Sequence, residues 1–392
     1  MALLADAAVR VDSPARAGFR EFVDELVAPG AGEFERAEAI PADVLARVAE
    51  RGYFGAVLPV PAGGSGMDMV TLGELHEEIG RGCSSLRSLL TVHTMVAATV
   101  RRWAGRPARE RWLPGLATGE LRGSFCLSEP GAGSDLNAIA ATAVRDGSDY
   151  VLEGTKTWIT GGQTAALLLV FARTEAGLTG FLVEADRPEV VRTPVRNMLG
   201  TKASMLAEIR FAGARVPEWA RVGAEGAGRM VATGALDLGR YSVAAGCVGI
   251  LQACLDASVE HTAHREQGGA RLREHQLVRA LVSDTVTSLH AARALVRQAG
   301  ELKDQGDPAT LMATWIAKYF ASTAAMRAAT DAVQLHGALG CADGHPVNRY
   351  FRDAKVMEII EGSSQIQQLT IAEHAYQQRG ERLAATRGTG ER

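Results

Sequence analysis

The chain has 392 residues, enough for two or three hydrophobic cores, because a single core stops growing at roughly 250–300 residues. A net charge of −3, with no dense Lys/Arg run, excludes an electrostatic case for nucleic acid or a membrane surface and leaves a small organic molecule as the default partner. Five scattered cysteines (Cys83, Cys126, Cys247, Cys254 and Cys341) lack CxxC spacing, which argues against a disulfide framework or a zinc site and for a reducing cytoplasm.

The N-terminus, punctuated by Arg10, Arg16 and Arg20, has no apolar run of signal-peptide length. No stretch reaches the roughly 18 uninterrupted apolar residues of a membrane span. Phe19, Phe22 and Leu26 fall at helical spacing, and Pro41 opens a second amphipathic segment carrying Val44, Leu45 and Val48. Leu72, Leu75 and Ile79 continue the pattern after a Pro/Gly-rich stretch, and a longer helix is expected over Ser84 to Trp103. Near Leu121 the period changes to short strand-like runs: Tyr150 to Leu152, Ala166 to Phe171, Phe181 to Val183 and Ala207 to Phe211. Beyond Gly228 long helical patterns return over Arg229 to His264, Leu272 to Lys303 and Pro308 to Leu339. In the last of these, Asp307 is placed as N-cap before an N1 proline. With the tail after Ser363 these segments predict a four-helix bundle. The expected fold class is α+β: an N-terminal α-helical domain over 1–120, a middle β-barrel or sandwich domain over 121–225, and a C-terminal helical bundle over 226–392. Its end, from Ala384, is expected to be disordered.

Two stretches carry chemistry. In Asp353 to Gln367, Glu361 follows the apolar pair Ile359 and Ile360 and precedes Gly362. Apolar surroundings raise a carboxyl pKa toward that of a working general base, and glycine permits a turn or a close backbone approach. A surface glutamate at a helix break has the same local sequence. The second stretch, Phe125 to Asp135, packs two glycines, a proline and two hydroxyls into a loop able to present N–H and Oγ groups to an extended polar ligand; an ordinary turn fits it too.

That loop, Trp158-Ile159-Thr160 and Glu361-Gly-Ser-Ser-Gln365 together resemble the acyl-CoA dehydrogenase family of flavoproteins, over nearly the whole chain. The resemblance implies FAD between the β domain and the bundle. Phe125, Leu127 and Ser128 would lie along the flavin, with Ser128 near N5. Ser134 would lie near FAD or the thioester arm, and Trp158, Ile159 and Thr160 would cover the ring. Arg265-Glu-Gln267-Gly268-Gly269 matches a segment that reaches the FAD pyrophosphate of a neighbouring subunit, with Gly268 where the family has Phe; a guanidinium suits phosphate oxygens. His275 and Gln276 match the adenine side. Gln334-Leu-His-Gly337-Ala338-Leu-Gly340 is a further cofactor match, with Ala338 and Cys341 replacing a glycine and an aromatic residue, and His336 inside it is read as a packing residue. Glu361 would be the catalytic base, and Ser363 and Gln365 would follow FAD. Asp237 and Arg240, alternatively an i,i+3 surface pair, would position the substrate with Ser134 and Gly362.

The implied reaction removes the α-proton of an acyl thioester while hydride leaves the β-carbon for the flavin. Short strings such as Cys83-Ser-Ser-Leu-Arg-Ser88 are similar to the acyl-carrier-protein dehydrogenases that prepare hydroxy-, methoxy- or aminomalonyl polyketide extender units, and His93 could then face the acyl group. The competing readings are a degradative short- or branched-chain acyl-CoA dehydrogenase and a non-catalytic helical scaffold. The partners expected are an acyl thioester on carrier protein or CoA, an electron acceptor, and one or three further copies of the chain. No nucleic acid, membrane or metal is expected.

Overall fold

Ser13 Oγ accepts the Arg16 amide at 3.1 Å, and the helix it opens, α1 (Pro14–Phe22), runs through a π turn (Val23–Val27) into α2 (Ala28–Ala37). The structure is a computed structural model and describes residues 13–388, with side chains described through residue 379. Arg10, and residues 389–392 of the expected disordered tail, lie outside the described residues.

Helices α3 (Ala42–Glu50), α4 (Met69–Gly82) and α5 (Ser84–Trp103) fall where apolar spacing puts them. Asp68 caps α4 by accepting the Thr71 amide at 2.7 Å. Sequence reasoning assigned no separate helix to α6 (Arg106–Thr118), which carries Pro114 in its body and buries only Ala108, Trp112, Leu116 and Ala117. So narrow an apolar face leaves a weak periodic signal.

The middle of the chain forms one eight-stranded sheet from β1 (Gly123–Cys126), β2 (Thr142–Asp146), β3 (Asp149–Ile159), β4 (Leu167–Thr174), β5 (Gly177–Glu184), β6 (Val190–Pro194), β7 (Ala207–Pro217) and β8 (Arg221–Val222). The order is β6-β7-β3-β2-β4-β5-β8, with β1 parallel to β4 so that Gly123 faces Leu167. Two irregularities interrupt the antiparallel β3–β7 pair. At one, β7 carries an extra residue, Gly213, with φ +75°; at the other, β3 carries the extra residue, between Lys156 and Ile159. The buried sheet residues share a core with Val96, Val100 and Trp112 of α5 and α6.

The bundle comprises α7 (Gly228–His264), α8 (Gln276–Asp304), α9 (Thr310–His336) and α12 (Ser364–Gly388), with the short α10 (Ala338–Cys341) and α11 (Pro346–Met357) between the last two. The hairpin β9 (Glu266–Gln267) and β10 (Ala270–Arg271), and a 3-10 turn at Leu272–Glu274, delay α8 to Gln276. Asp307 accepts the Ala309 amide on Oδ1 at 2.8 Å, so it caps the turn ahead of α9 and the helix starts two residues later than its N1 proline suggests. α12 continues past Ala384, where a disordered tail is expected, to Gly388. α7 has an 18-residue window of mean hydropathy 1.5, long and apolar enough to cross a membrane; 72% of that window is buried in the fold, so its apolarity serves the core.

α4 and α7 touch backbone to backbone. A Cβ on Gly80 would lie 2.7 Å from the Gly246 carbonyl oxygen, and one on Gly249 would collide with the Glu77 carbonyl. Overpacking of this kind costs about 1–3 kcal/mol. Gly249→Ala is therefore expected to destabilise the protein by at least about 2 kcal/mol in denaturant titration; an unchanged midpoint would show that the helices separate freely.

Candidate active site

α11 ends at Met357, and the chain reaches α12 through a tight turn in which Glu361 takes φ +56° and Gly362 φ +95°. A left-handed glutamate costs on the order of 1–3 kcal/mol and persists only where its surroundings hold it. Its carboxylate lies against Gly239 of α7. A Cβ there would collide with Oε2 and stand 2.8 Å from Met95 Sδ of α5. Glu361 Oε2 is buried without a hydrogen-bond partner. Burial pushes the carboxyl up to about 6, against the opposing pull of Arg240, Arg87 and Lys318.

Two buried cations grip the turn. Arg240 Nε donates to the Glu361 carbonyl at 3.0 Å, and its guanidinium lies over the Trp315 ring, 4.1 Å from the centroid. Lys318 of α9, 0% exposed, donates Nζ to the Gly362 carbonyl at 2.8 Å, where Gln367 Nε2 also donates at 3.0 Å. Burial lowers Lys318 to about 8, and no carboxylate pairs with it among the described residues. Asp237 and Arg240 make no ion pair with each other. Asp237 pairs with Lys303 and leaves its other oxygen buried and unpartnered. The surface-pair alternative does not hold, because Asp237 is taken by Lys303 while Arg240 is buried and turned to the Glu361 carbonyl and the Trp315 ring.

On the β side, an extra residue in β3 turns Trp158 outward at φ +60° and 56% exposure, while Ile159 stays buried. The neighbouring Thr157 amide donates to the Ser128 carbonyl at 2.9 Å, and Ser124 Oγ donates to the Thr160 carbonyl at 2.7 Å. Trp158, Thr160, Ser128 and Leu127 are thereby brought together. Phe125 packs against Phe171, with ring centroids 5.3 Å apart, and Ser134 is exposed farther along the loop. Beneath the loop lies a buried pair that sequence reasoning missed. Lys156 Nζ donates to Glu129 Oε1 at 2.6 Å and to the Leu127 carbonyl at 3.1 Å, and Glu129 also accepts the Ala140 and Ala141 amides. Burial would raise the Glu129 carboxyl, but Lys156 and those amides hold it below the usual range.

α5 joins the two halves. Met95 faces the Glu361 carboxylate, Val96 packs on Gly123 of β1, and His93 receives the Gly123 amide on Nδ1 at 3.2 Å. Nε2 of His93 therefore carries the proton and donates to the Leu116 carbonyl at 2.9 Å, and burial lowers its pKa to about 4. His93 ties β1 to α6, with both ring nitrogens engaged and neither facing an acyl group. A second tie comes from α11, where Asp353 Oδ1 accepts the Thr201 amide at 2.6 Å; burial raises this carboxyl to about 6.

The remaining expected cofactor residues lie elsewhere. Arg265, Gln267, His275 and Gln276 are exposed around the β9–β10 hairpin, where His275 Nε2 contacts the Gln267 carbonyl at 3.1 Å. Gln334, Gly337 and Ala338 are exposed at the end of α9, where Gly337 adopts φ +60° and ψ −139°. His336 is buried between His261 and His345, with centroids at 4.3 and 5.1 Å, in keeping with packing. Ser363 Oγ accepts the Ile366 amide at 3.4 Å, while Gln365 is exposed. Lys318 and Arg87 were not found from sequence. The available signal was a polar row, Thr314, Lys318 and Ser322, on the buried stripe of α9.

Because the Lys318 charge pulls the Glu361 carboxyl down while burial pushes it up, Lys318→Met is expected to move the Glu361 midpoint above about 6. Infrared titration of the carboxyl band, with Glu361→Gln as baseline, measures this. An unchanged or lower midpoint would remove Lys318 from the electrostatics of the turn.

The chain matches the acyl-CoA dehydrogenase N-terminal domain over residues 13–120, the middle domain over 124–214 and the C-terminal domain over 226–376. It is 36% identical over 358 residues to cyclohexane-1-carbonyl-CoA dehydrogenase of Geobacter metallireducens, covering 90% of this chain and 94% of that one. Among solved structures it is similar to FkbI, described as acting in biosynthesis of the methoxymalonyl extender unit of the FK520 polyketide immunosuppressant. The TM-score is 0.85 at 35% identity, over 92% of this chain and 99% of that one. It is also similar to the prolyl acyl carrier protein oxidase AnaB, with a TM-score of 0.87 at 25% identity, over 93% and 99%. The chain belongs to the acyl-CoA dehydrogenase family, FAD-dependent oxidoreductases acting on CH–CH donors.

Proposed function

We propose that the protein oxidises a small acyl thioester carried on an acyl carrier protein, in secondary metabolism of the polyketide extender-unit kind, with Glu361 as the base. The observation that carries this reading is the Glu361 carboxylate itself: one oxygen buried and unpartnered, its pKa raised to about 6, on a turn fixed by Arg240 and Lys318. A base with a free acceptor and a near-neutral pKa is matched to a weak carbon acid.

The residues present fit FAD. Trp158 stands exposed beside the Ser128 backbone, and Gly131, Gly133 and Gly337 border open space, where a Cβ would meet nothing within 4 Å. Phe125, Leu127, Ser128, Ser134, Trp158, Ile159, Thr160, Ser363 and Gln365 would hold the flavin half, with Gln334, Gly337 and Ala338 alongside. When bound, FAD accepts the hydride that leaves the substrate β-carbon. Glu361 Oε2 takes the α-proton as the Cα–Cβ double bond forms, and the Glu361 N–H donates to the thioester carbonyl as charge develops there. Arg240 orients that N–H by holding the carbonyl of the same residue. Met95 and Gly239 keep water from the carboxylate. Ser134, Asp237 and Gly362 border the thioester arm. An electron-transfer flavoprotein or an equivalent acceptor would take up the electrons released by the substrate.

Similarity to FkbI and AnaB supports the carrier-protein form, and relatives named for acyl-CoA substrates support a degradative short-chain enzyme. Arg265, Gln267, His275 and Gln276, with Leu277 83% exposed beside them, form a surface suited to a second copy and its FAD, which supports a homodimer or homotetramer. The free cysteines suit a reducing cytoplasm.

Stopped-flow flavin bleaching with one acyl group on carrier protein and on CoA decides the carrier. Orders-of-magnitude preference for CoA in kcat/KM would overturn it. Glu361→Gln is expected to keep FAD and lose about 100- to 10,000-fold in flavin reduction, and the wild-type rate to rise with pH and level above about 6. An active FAD-saturated monomer in sedimentation would refute the assembly.

A further inference from the structure

Helices α5 and α7 run antiparallel across the site, and the contacts between them fix which end is open. Along α5, Arg87, Met95 and Trp103 lie against Gly246, Gly239 and Gly223 in turn, and Gly223 precedes the start of α7. The Arg87 end is closed, since Arg87 is 1% exposed and Gly80 of α4 backs on to Gly246. At the Trp103 end Thr233 and Gly234 are exposed, Met230 is 55% exposed, and a Cβ on Gly234 would meet nothing within 4 Å. A thioester whose α-carbon lies at Glu361 therefore sends its arm out by the Trp103 end.

That end is ringed with arginine. Arg101 and Arg102 close α5, Arg106 and Arg109 open α6, and Arg229 opens α7, and all of them are exposed. Arg102 follows Met95 by two helical turns, so it stands on the face of α5 that meets the carboxylate, about 10 Å nearer the opening. Arg229 donates to Asn137 Oδ1, on the loop that carries Ser134. Of these arginines only Arg106 has a carboxylate partner among the described residues, Glu110 at 2.6 Å. In the segment that bridges to Ala104, Glu218 and Glu225 are both paired with Arg145.

Stability does not account for this edge. Cations suit the last turn of a helix, which covers Arg101 and Arg102, but Arg106, Arg109 and Arg229 lie in opening turns, where the macrodipole disfavours positive charge. Neither opening turn contains an acidic residue. Like charges also repel, and a chain of net charge −3 has carboxylates enough to separate them.

Resting on the carrier-protein reading above, we infer that this edge, from the end of α5 across the start of α6 to the start of α7, is the docking surface for an acidic acyl carrier protein. Such a partner holds its acyl group on a flexible phosphopantetheine arm. Its carboxylates meet the arginines while the arm passes Met230 and Gly234 toward Glu361. The arginines are spread over three elements, a span suited to the face of a protein, whereas CoA brings its phosphates on a single thread. Met230, exposed beside Arg229, gives the rim an apolar contact. Complementary charge at an exposed rim speeds encounter and sets orientation more than it adds affinity, which suits a partner that must leave after each turnover.

Titrating FAD-loaded enzyme into a holo acyl carrier protein, dye-labelled away from its phosphopantetheine, tests this by fluorescence anisotropy. The wild type is expected to bind, with Kd rising at least about tenfold in the double variant Arg101→Glu/Arg102→Glu, and likewise between about 0.05 and 0.5 M salt. The double variant Arg36→Glu/Arg47→Glu makes the same change of net charge on exposed faces of α2 and α3, and its Kd is expected to stay within about twofold of wild type. Equal weakening in the two double variants, or no loss in Arg101→Glu/Arg102→Glu, overturns the docking surface and leaves the carrier reading standing. A wild type that binds no carrier protein overturns the carrier reading, and the surface with it. The wild-type salt series stands even if a variant fails to fold, and a Kd indifferent to salt overturns docking by charge.

Discussion

The site depends on holding one carboxylate in a place where it is uncomfortable. Glu361 has a left-handed backbone and a buried oxygen with no partner, and each feature alone would be relieved by a small movement of the turn. Arg240 and Lys318 prevent that movement by holding two consecutive carbonyls from opposite helices of the bundle. The same charges limit how far burial raises the carboxyl, so geometry and basicity share one cause. Neutral donors could have fixed the turn, but they would have left the pKa to burial alone.

The β half is organised by similar means. The Lys156–Glu129 pair lies under the loop that presents Leu127 and Ser128, and the irregularity in β3 turns Trp158 out beside it. Between the halves, α5 touches the carboxylate with Met95 and the sheet with Val96 and His93, so the distance between base and loop is set by the width of one helix. The Thr201–Asp353 contact adds a second tie close to the turn. Buried polar groups with full partners make each of these joints specific.

The three-part architecture was legible in the period of apolar residues, which shifts from helical to strand-like and back because each element has one face to bury. The weak spots were α6, with few inward residues, and the start of α8, displaced by a hairpin that has no apolar pattern. Of the site, Glu361, the Ser128 loop and Trp158 were recoverable as strings. Gly239 and Arg87 were not, since a glycine or an arginine in a helix carries no mark of what lies opposite it.

The sequence by itself determined the order of domains, the helical periods that flank the strands and the residue types available for proton abstraction, all of which depend on near neighbours in the chain. Only the tertiary structure decided that Asp237 turns to Lys303 and Arg240 to Glu361, that His93 is occupied at both nitrogens, and that Lys318 and Arg87 are buried cations without carboxylate partners among the described residues. These are contacts between residues up to hundreds of positions apart. Their energies come from desolvation and charge at close range, and neither exists until the helices pack.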